Sequence, residues 1–600
     1  MKKANLILAA ALVALFAPLL LVHSCANTTQ SPTGGPKDTI PPYIVYINPL
    51  PGTVNVPLKD ARFYFEFNEY VKIKDPKNIV LSPPLSKPVK SKLKGKGLVL
   101  SFEEALDSNT TYTISFTDAI TDNNEGNPFA GFSYVFSTGK SIDSMLVTGT
   151  VRDCNTLKPF KNATVMLYSD LSDSAVFLKR PVAAAKSDDW GYFSLPFVKD
   201  TTYRIYAIKD IDGNNIYDPE NDLIAFIDSL IRPKLVSYDT IPEMLKYDMK
   251  DTLNCEARIS EHELLLFREK PTKQYLRNSG RTGERSAFIS FQAPYAWIDS
   301  LWVPGYRADQ IITQFNATQD SLLLWLNNIS SHGPDTLHLF VNYRKTDDST
   351  GVLTPDLEHL RLVEEGGRKQ YSRVDYSVKR THADSICKFT LEAKPETFEQ
   401  TGFVLSFELP PVNIDFAEMK YRYLNPRQKE SSGTFTYERD STDLRTYYIR
   451  PNDKILPGYE YFLKIPQNTL RDITGWQNDS TECRVSLPND ESSSTVHLAL
   501  QNVGGKVIVD LMEGKSSKAS RTFVVDKDCT IDIKYLKEGK YSIRITDDSN
   551  CNSIVDTGSL LEHRQPEKVV FVKFGSQDYL DIPPSSDIVQ TIDVKTVLGK

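Results

Sequence analysis

The chain has little of what most chemistry needs. Its 600 residues hold eight histidines and seven cysteines, widely scattered, with no CxxC pair and no short regular spacing. That argues against a zinc site and against a disulfide framework. Apart from Cys25, the cysteines are Cys154, Cys255, Cys387, Cys483, Cys529 and Cys551; buried thiols are the expectation, with a Cys529–Cys551 bridge left open. No GxSxG, HExxH, P-loop or strand-linked GxGxxG is present. His262, within Glu261-His262-Glu263, lacks a second histidine at helical spacing, and Glu103-Glu104 are neighbours on a strand edge, so they point to opposite faces. The formal net charge is −7 and the Lys and Arg residues read as dispersed, which argues against nucleic acid as a partner. Past residue 22 no apolar run approaches the ~18 residues of a bilayer span. Long amphipathic helices are absent too; Phe416 to Leu424 is the best short candidate.

What is present is β pattern. Arg62-Phe63-Tyr64-Phe65-Glu66-Phe67, Leu98-Val99-Leu100-Ser101-Phe102 and Thr111-Tyr112-Thr113-Ile114-Ser115-Phe116 alternate with period two between Pro, Gly, Asn and Asp. One face is then buried and the other wet, as in antiparallel sandwiches. A chain of this length exceeds a single core and predicts several domains.

The first residues read as a signal peptide over 1–24: Lys2 and Lys3, then an apolar run from Leu6 to Val22 broken by Pro18. Leu21-Val22-His23-Ser24-Cys25 resembles the bacterial lipobox. That resemblance implies acylation of Cys25 and a membrane partner reached through an N-terminal lipid anchor, held by ~0.8 kcal/mol per buried methylene. Residues 25–42, rich in Thr, Ser, Gly and Pro, read as a flexible tether. The residue after Cys25 is Ala26, not Asp, which favours the outer membrane; the face is left open.

Residues 43–139 and 371–488 share one plan: a strand, a Leu–turn–Tyr strand (Leu106 to Tyr112; Leu456 to Tyr461), an Asp/Asn/Gly loop and a last strand. Together with Pro41-Pro42 and Val56-Pro57, this resembles the bacterial Ig-like domain first recognised in S-layer proteins. Residues 145–235, with Gly149-Thr150-Val151-Arg152-Asp153, Val165-Met166-Leu167 and Tyr203-Arg204-Ile205, resemble the prealbumin-like modules of the carboxypeptidase-regulatory and Cna-B types. Residues 492–578 carry a diverged copy. The expected fold class is all-β, a tandem array of Ig-like and prealbumin-like β-sandwich domains, with a β-rich domain of unclear type at 256–370 and a C-terminal tail at 579–600.

Each prealbumin-like module places an acidic loop after its late strand. Asp210, Asp212, Asn214 and Asp218 occupy positions 1, 3, 5 and 9 of the first; Asp548, Asn550, Asn552 and Asp556 occupy them in the second. Oxygen donors at this spacing suit a structural Ca²⁺, although position 6 is Asn215 or Ser553 instead of glycine and position 12 is Asn221 or Ser559. No cofactor is required. The alternative is an Asx-rich turn whose side chains bond their own backbone. An Asp-(Ser/Thr)-(Ala/Ile/Leu/Val/Met/Thr) triplet recurs from Asp38 to Asp479. It resembles the O-glycosylation sequon of Bacteroidota, and turn chemistry explains it equally.

These readings point to a non-catalytic envelope scaffold whose sandwiches act as spacers, with an envelope protein or glycan as partner. Two alternatives are a surface glycan-binding lipoprotein, using Trp190, Trp297, Trp302 or Trp476, and an enzyme with an unrecognised site in 256–370. The tryptophans are expected in cores, as Trp in short strands commonly is.

Overall fold

The computed structural model describes residues 38–129, 132–235, 261–327, 336–363, 386–489, 491–514 and 516–600. Residues 1–37, Cys25 among them, and Cys255 lie outside. The molecule is all-β, built as successive two-sheet sandwiches with short loops. It divides into two compact units, one holding the sandwich of residues 44–137 and the other most of the chain from Val147 onward.

In the first unit, a sheet ordered Ile44–Asn48, Arg62–Phe67, Gly97–Ser101 and Lys90–Lys94 faces one ordered Ser133–Ser137, Thr111–Ser115 and Val80–Ser82. Alternation sends Phe63, Phe65 and Phe67 inward against Tyr134, Phe136, Phe116 and Phe129. Most of these rings meet edge-on, as Phe65–Phe116 do at 5.2 Å between centroids, the arrangement that ring quadrupoles favour.

The sandwich formed by residues 389–487 repeats this sheet order, with Phe389–Glu392, Phe403–Phe407, Thr446–Pro451 and Phe435–Arg439. The Leu–turn–Tyr grammar has one cause in both. The Tyr112 hydroxyl accepts the Asp107 N–H at 2.8 Å, and the Tyr461 hydroxyl accepts the Leu456 N–H at 2.7 Å. Each buried ring pins the turn five residues before it. The Asp loops differ. Both Asp122 and Asp472 are buried. Burial pushes the Asp122 pKa up, but N–H groups of Gly126, Asn127, Glu125 and Asn124 outweigh it and the net shift is down. Burial wins at Asp472, whose main donor is Thr474, and its pKa rises. The balance between the burial penalty and the donors sets the sign.

The two sandwiches expected to be prealbumin-like share a feature that their sequences hide. Each receives a strand parallel to its own first strand from beyond its expected end. His262–Leu266 pairs with Gly149 to Asp153, and Asp587–Asp593 pairs with Thr495 to Gln501. Residues 579–600 are therefore no tail: Leu580–Ile582 pairs with Gly539 to Tyr541, and a terminal helix, Val594–Leu598, buries Val594 and Leu598. A parallel partner supplied from a distance leaves no turn signal, and the Pro583-Pro584 break reads as an ending.

Between them stands a further sandwich. Leu276–Gly283, Ser286–Phe291, Ser321–Leu326 and Ile311–Phe315 form one sheet; Ile298–Trp302, Thr336–Thr346 and Leu353–Val363 form the other. The best short helix candidate, Phe416 to Leu424, is one 3-10 turn, Phe416–Glu418, opened by the Asp415 side chain and followed by the strand Lys420–Leu424. Tyr421 and Tyr423 alternate with polar neighbours there, and period two prevails. All described cysteines are free. Cys154 and Cys387 are buried, Cys483 and Cys529 half-buried and Cys551 exposed, so no Cys529–Cys551 bridge is formed.

Candidate functional site

The two acidic loops take the same shape. Loop 1 follows the strand Arg204–Ile208 and precedes Ile224–Phe226; loop 2 follows Gly539–Asp547 and precedes Val569–Phe571. Position 4 is left-handed in both, at Gly213 and Cys551, and so is position 6, at Asn215 (φ 57°) and Ser553 (φ 65°). The glycine missing at position 6 is thus replaced by residues bent as a glycine would be, at some steric cost for serine.

The carboxylate at position 1 is engaged by its own loop. Asp210 accepts N–H bonds from Gly213 at 2.7 Å and Asn215 at 2.8 Å; Asp548 accepts them from Asn552 at 3.0 Å and Ser553 at 2.7 Å. At position 5, Asn214 and Asn552 each accept the N–H two residues on, both at 2.7 Å. Asp212 is exposed. Asp218 accepts the Glu220 N–H and the Asn221 side-chain amide. Among the described residues no group of three or more His, Cys, Asp or Glu is placed to hold a metal. The geometry is that of Asx turns.

A downstream carboxylate completes each loop, Asp222 close by in sequence in the first and Glu567, which the spacing did not single out, in the second. Asp222 accepts the N–H groups of positions 2 and 9, Ile211 at 3.2 Å and Asp218 at 3.1 Å. Glu567 accepts the same two, Ser549 at 3.1 Å and Asp556 at 3.0 Å. One lies at position 13 and the other at position 20, so no fixed-spacing search finds both. Burial pushes both pKa values up, as do the neighbouring Asp210 and Asp218 for Asp222, and Asp548 and Asp556 for Glu567.

The loops meet one strap, Phe267 to Lys270. Phe267 packs in a core with Tyr217 and Leu560, and a Cβ at Gly558 would come within 2.6 Å of its ring. Arg268 donates to the carbonyls of Glu220 and Asn221 in loop 1, and the Thr557 hydroxyl donates to the Arg268 carbonyl at 2.6 Å. Glu269 accepts the Tyr217 hydroxyl from one side and the Leu560 N–H from the other, both at 2.6 Å. Lys270 donates to Asp556 at 2.6 Å. Beyond the strap, His563 meets Asp173 at 3.3 Å. Sandwiches far apart in sequence are joined here, within the second unit.

The tryptophans differ from expectation. Trp190, Trp297 and Trp302 are exposed, and Trp476 is half-buried. Trp302 stands in the edge strand Ile298–Trp302, on the wet side of its sheet. It heads a ladder across three strands: Trp302 on Phe340 at 5.2 Å, and Phe340 on His359 at 4.3 Å, each pair stacked with nearly parallel rings. His338 lies beside His359, Nδ1 to Nε2 2.9 Å. A groove of about 390 Å³ runs along the ladder's side, lined by Pro304, Tyr306, His338, Phe340 and His359. Carboxylates of the same sandwich have partners: Asp299 with Arg344, Asp356 with Lys345 and Glu358 with Tyr343.

Residues 38–138 match the family of bacterial Ig-like domains. The chain carries an Ig-like domain. None of the curated proteins matches the sequence. Among solved structures, domains 1–6 of the surface layer protein SbsC align at 8% identity over 74% of this chain and 67% of that one, with a TM-score of 0.15. BcpA, the major pilin subunit of Bacillus cereus, aligns at 10% over 75% and 99%, with a TM-score of 0.12. The Sidekick-1 immunoglobulin domains 1–4 align at 9% over 74% and 95%, with a TM-score of 0.16. Scores this low say nothing about how the sandwiches are arranged. Among the described residues no helix is long and apolar enough to cross a membrane.

Proposed function

We propose that this chain is a non-catalytic scaffold of the bacterial cell envelope, anchored through acylated Cys25 in the outer membrane and engaging another envelope component. The observation that carries the scaffold reading is the strap. Glu269 and Lys270, with Arg268 between the loops, use their polar groups to lock two distant sandwiches together. Polar side chains spent in this way tie the two sandwiches together. The lipobox resemblance at Leu21 to Cys25 supports the anchor. Metabolic labelling with a palmitate analogue tests it: the parent chain takes up label and fractionates with outer membrane, and Cys25→Ser does neither. Protease added to intact cells then reports the face. A structural Ca²⁺ is proposed for loop 1 only, where Asp210, Asp212, Asn214 and Asp218 would hold it; Lys270 already supplies a cation to loop 2.

A second reading, glycan binding, is favoured by the exposed ladder of Trp302, Phe340 and His359 beside its groove, since sugar rings stack on aromatic faces. A carbohydrate array probed with the parent chain and with Trp302→Ala separates the readings. Signal lost in the variant supports glycan binding, and no signal from the parent removes it.

A further inference from the structure

The outer face of the first sandwich's four-stranded sheet carries a row of lysines along its edge, with Glu66 as an acidic residue two strands in. In Lys90–Lys94 the alternation turns Ser91 and Leu93 toward the facing sheet and Lys90, Lys92 and Lys94 outward, about 7 Å apart. Lys87 and Lys96 flank them, and all five are exposed. A sequence reading that found the basic residues dispersed passed over this run. Lys87 and Lys90 share Glu103, and Lys96 donates to the Asn68 carbonyl at 2.7 Å. Lys92 and Lys94 have no acidic partner among the described residues. The same face continues in register from Lys92 through Val99 to Tyr64. The Tyr64 ring lies 6.3 Å from that of Tyr46, which is exposed. A cationic row therefore borders a strip of tyrosine and valine.

Lysines on an edge strand also deter unwanted strand pairing. The sister sandwich separates the two roles. Its edge strand Phe435–Arg439 holds the same place in the same sheet order, yet its outward residues are Thr436 and Glu438, with Glu438 paired to Arg450 at 2.7 Å. The topology is served there without a lysine, so it does not require the row in the first sandwich.

We infer that this face docks on an anionic lipid surface, the ammonium groups meeting headgroup phosphates and Tyr46 and Tyr64 entering the interfacial layer. Charge complementarity supplies the attraction, and tyrosine beside lysine suits a boundary that is apolar on one side and wet on the other. The inference goes beyond the scaffold reading and stands without the anchor. Acylation at Cys25 would add to it by keeping the first folded sandwich within a tether's reach of the lipid.

The test uses the full chain from residue 25, with Cys25→Ser so that no acyl chain contributes. It is sedimented with phosphatidylcholine vesicles, with and without about 30 mol % phosphatidylglycerol. Binding to the anionic vesicles alone is expected, weakened on the order of 100-fold by Lys90→Gln, Lys92→Gln and Lys94→Gln together and lost near 0.5 M salt. The three side chains are exposed, so the variant is expected to fold; the salt dependence of the unmodified face decides the matter should it not. Equal binding to both vesicles, binding unchanged by the triple substitution, or retention on an anionic polysaccharide without vesicle binding would each overturn the inference.

Discussion

Loops 1 and 2 have one backbone and two charge states. Both bend left-handed at positions 4 and 6, both turn the first carboxylate onto their own N–H groups, and both close with a downstream carboxylate on positions 2 and 9. In loop 2 the charge is compensated. Lys270 and the amides of Asn550 and Asn552 surround Asp556, each 2.6 Å from it. Burial pushes the pKa of Asp556 up, and these donors bring it below the usual range. Among the described residues no lysine or arginine side chain pairs with Asp210, Asp212, Asp218 or Asp222, and Asp222 is pushed up by burial and by Asp210 and Asp218. The fold brings a lysine to one loop's carboxylate and none to the aspartates of the other. Backbone shape and charge compensation are therefore separate properties of the motif.

The comparison breaks most forcefully at Lys270. Lys270→Met leaves the Asp556 carboxylate, 5% exposed, without its cation. A loss of about 2–3 kcal/mol is expected in urea unfolding, less than for a fully buried pair because the lysine is half-exposed. Asp222→Ala and Glu567→Ala each orphan two N–H groups and should cost a similar ~1–3 kcal/mol; unequal losses would show that the two closures are not equivalent.

Acidity sharpens the contrast. A carboxylate with raised pKa contributes stability that is present below the unfolded value of about 4 and lost as pH rises through the folded value. Asp222 is such a group, whereas Asp556, lowered, contributes stability that is lost as pH falls. Asp222→Asn keeps an acceptor and removes the repulsion, so it should match or exceed the parent's stability at pH 7 and lose that advantage near pH 4. Thermal unfolding with millimolar Ca²⁺ should raise Tm by a degree or two; Asp210→Asn should abolish the rise and Asp548→Asn should not. The smallest effect is expected from glycine at position 6: Ser553→Gly should stabilise by up to ~1 kcal/mol and Asn215→Gly by less, since asparagine tolerates the left-handed region.

Period-two alternation, the Leu–turn–Tyr spacing and the 1, 3, 5, 9 acid pattern were legible because each is local: one strand face, one turn or one loop carries the whole signal. The same reasoning failed wherever a partner comes from far along the chain. Residues 579–600 read as a tail because their pairing strand, Ser494–Gln501, lies some 90 residues earlier. Glu567 and Lys270 were invisible as members of loop 2 because neither is at a fixed offset from it. Trp302 was misread as core because alternation tells two faces apart without saying which is wet.

By itself, then, the sequence determined that this protein is a series of β-sandwiches with acidic loops at matching places, because alternation and turn chemistry act over a few residues. Only the tertiary structure decided that the second and last sandwiches share a strap, that one acidic loop is neutralised and the other is not, and that lysines and tryptophans stand on wet faces. Those outcomes depend on which distant groups are brought within hydrogen-bonding distance, and no local pattern encodes that distance.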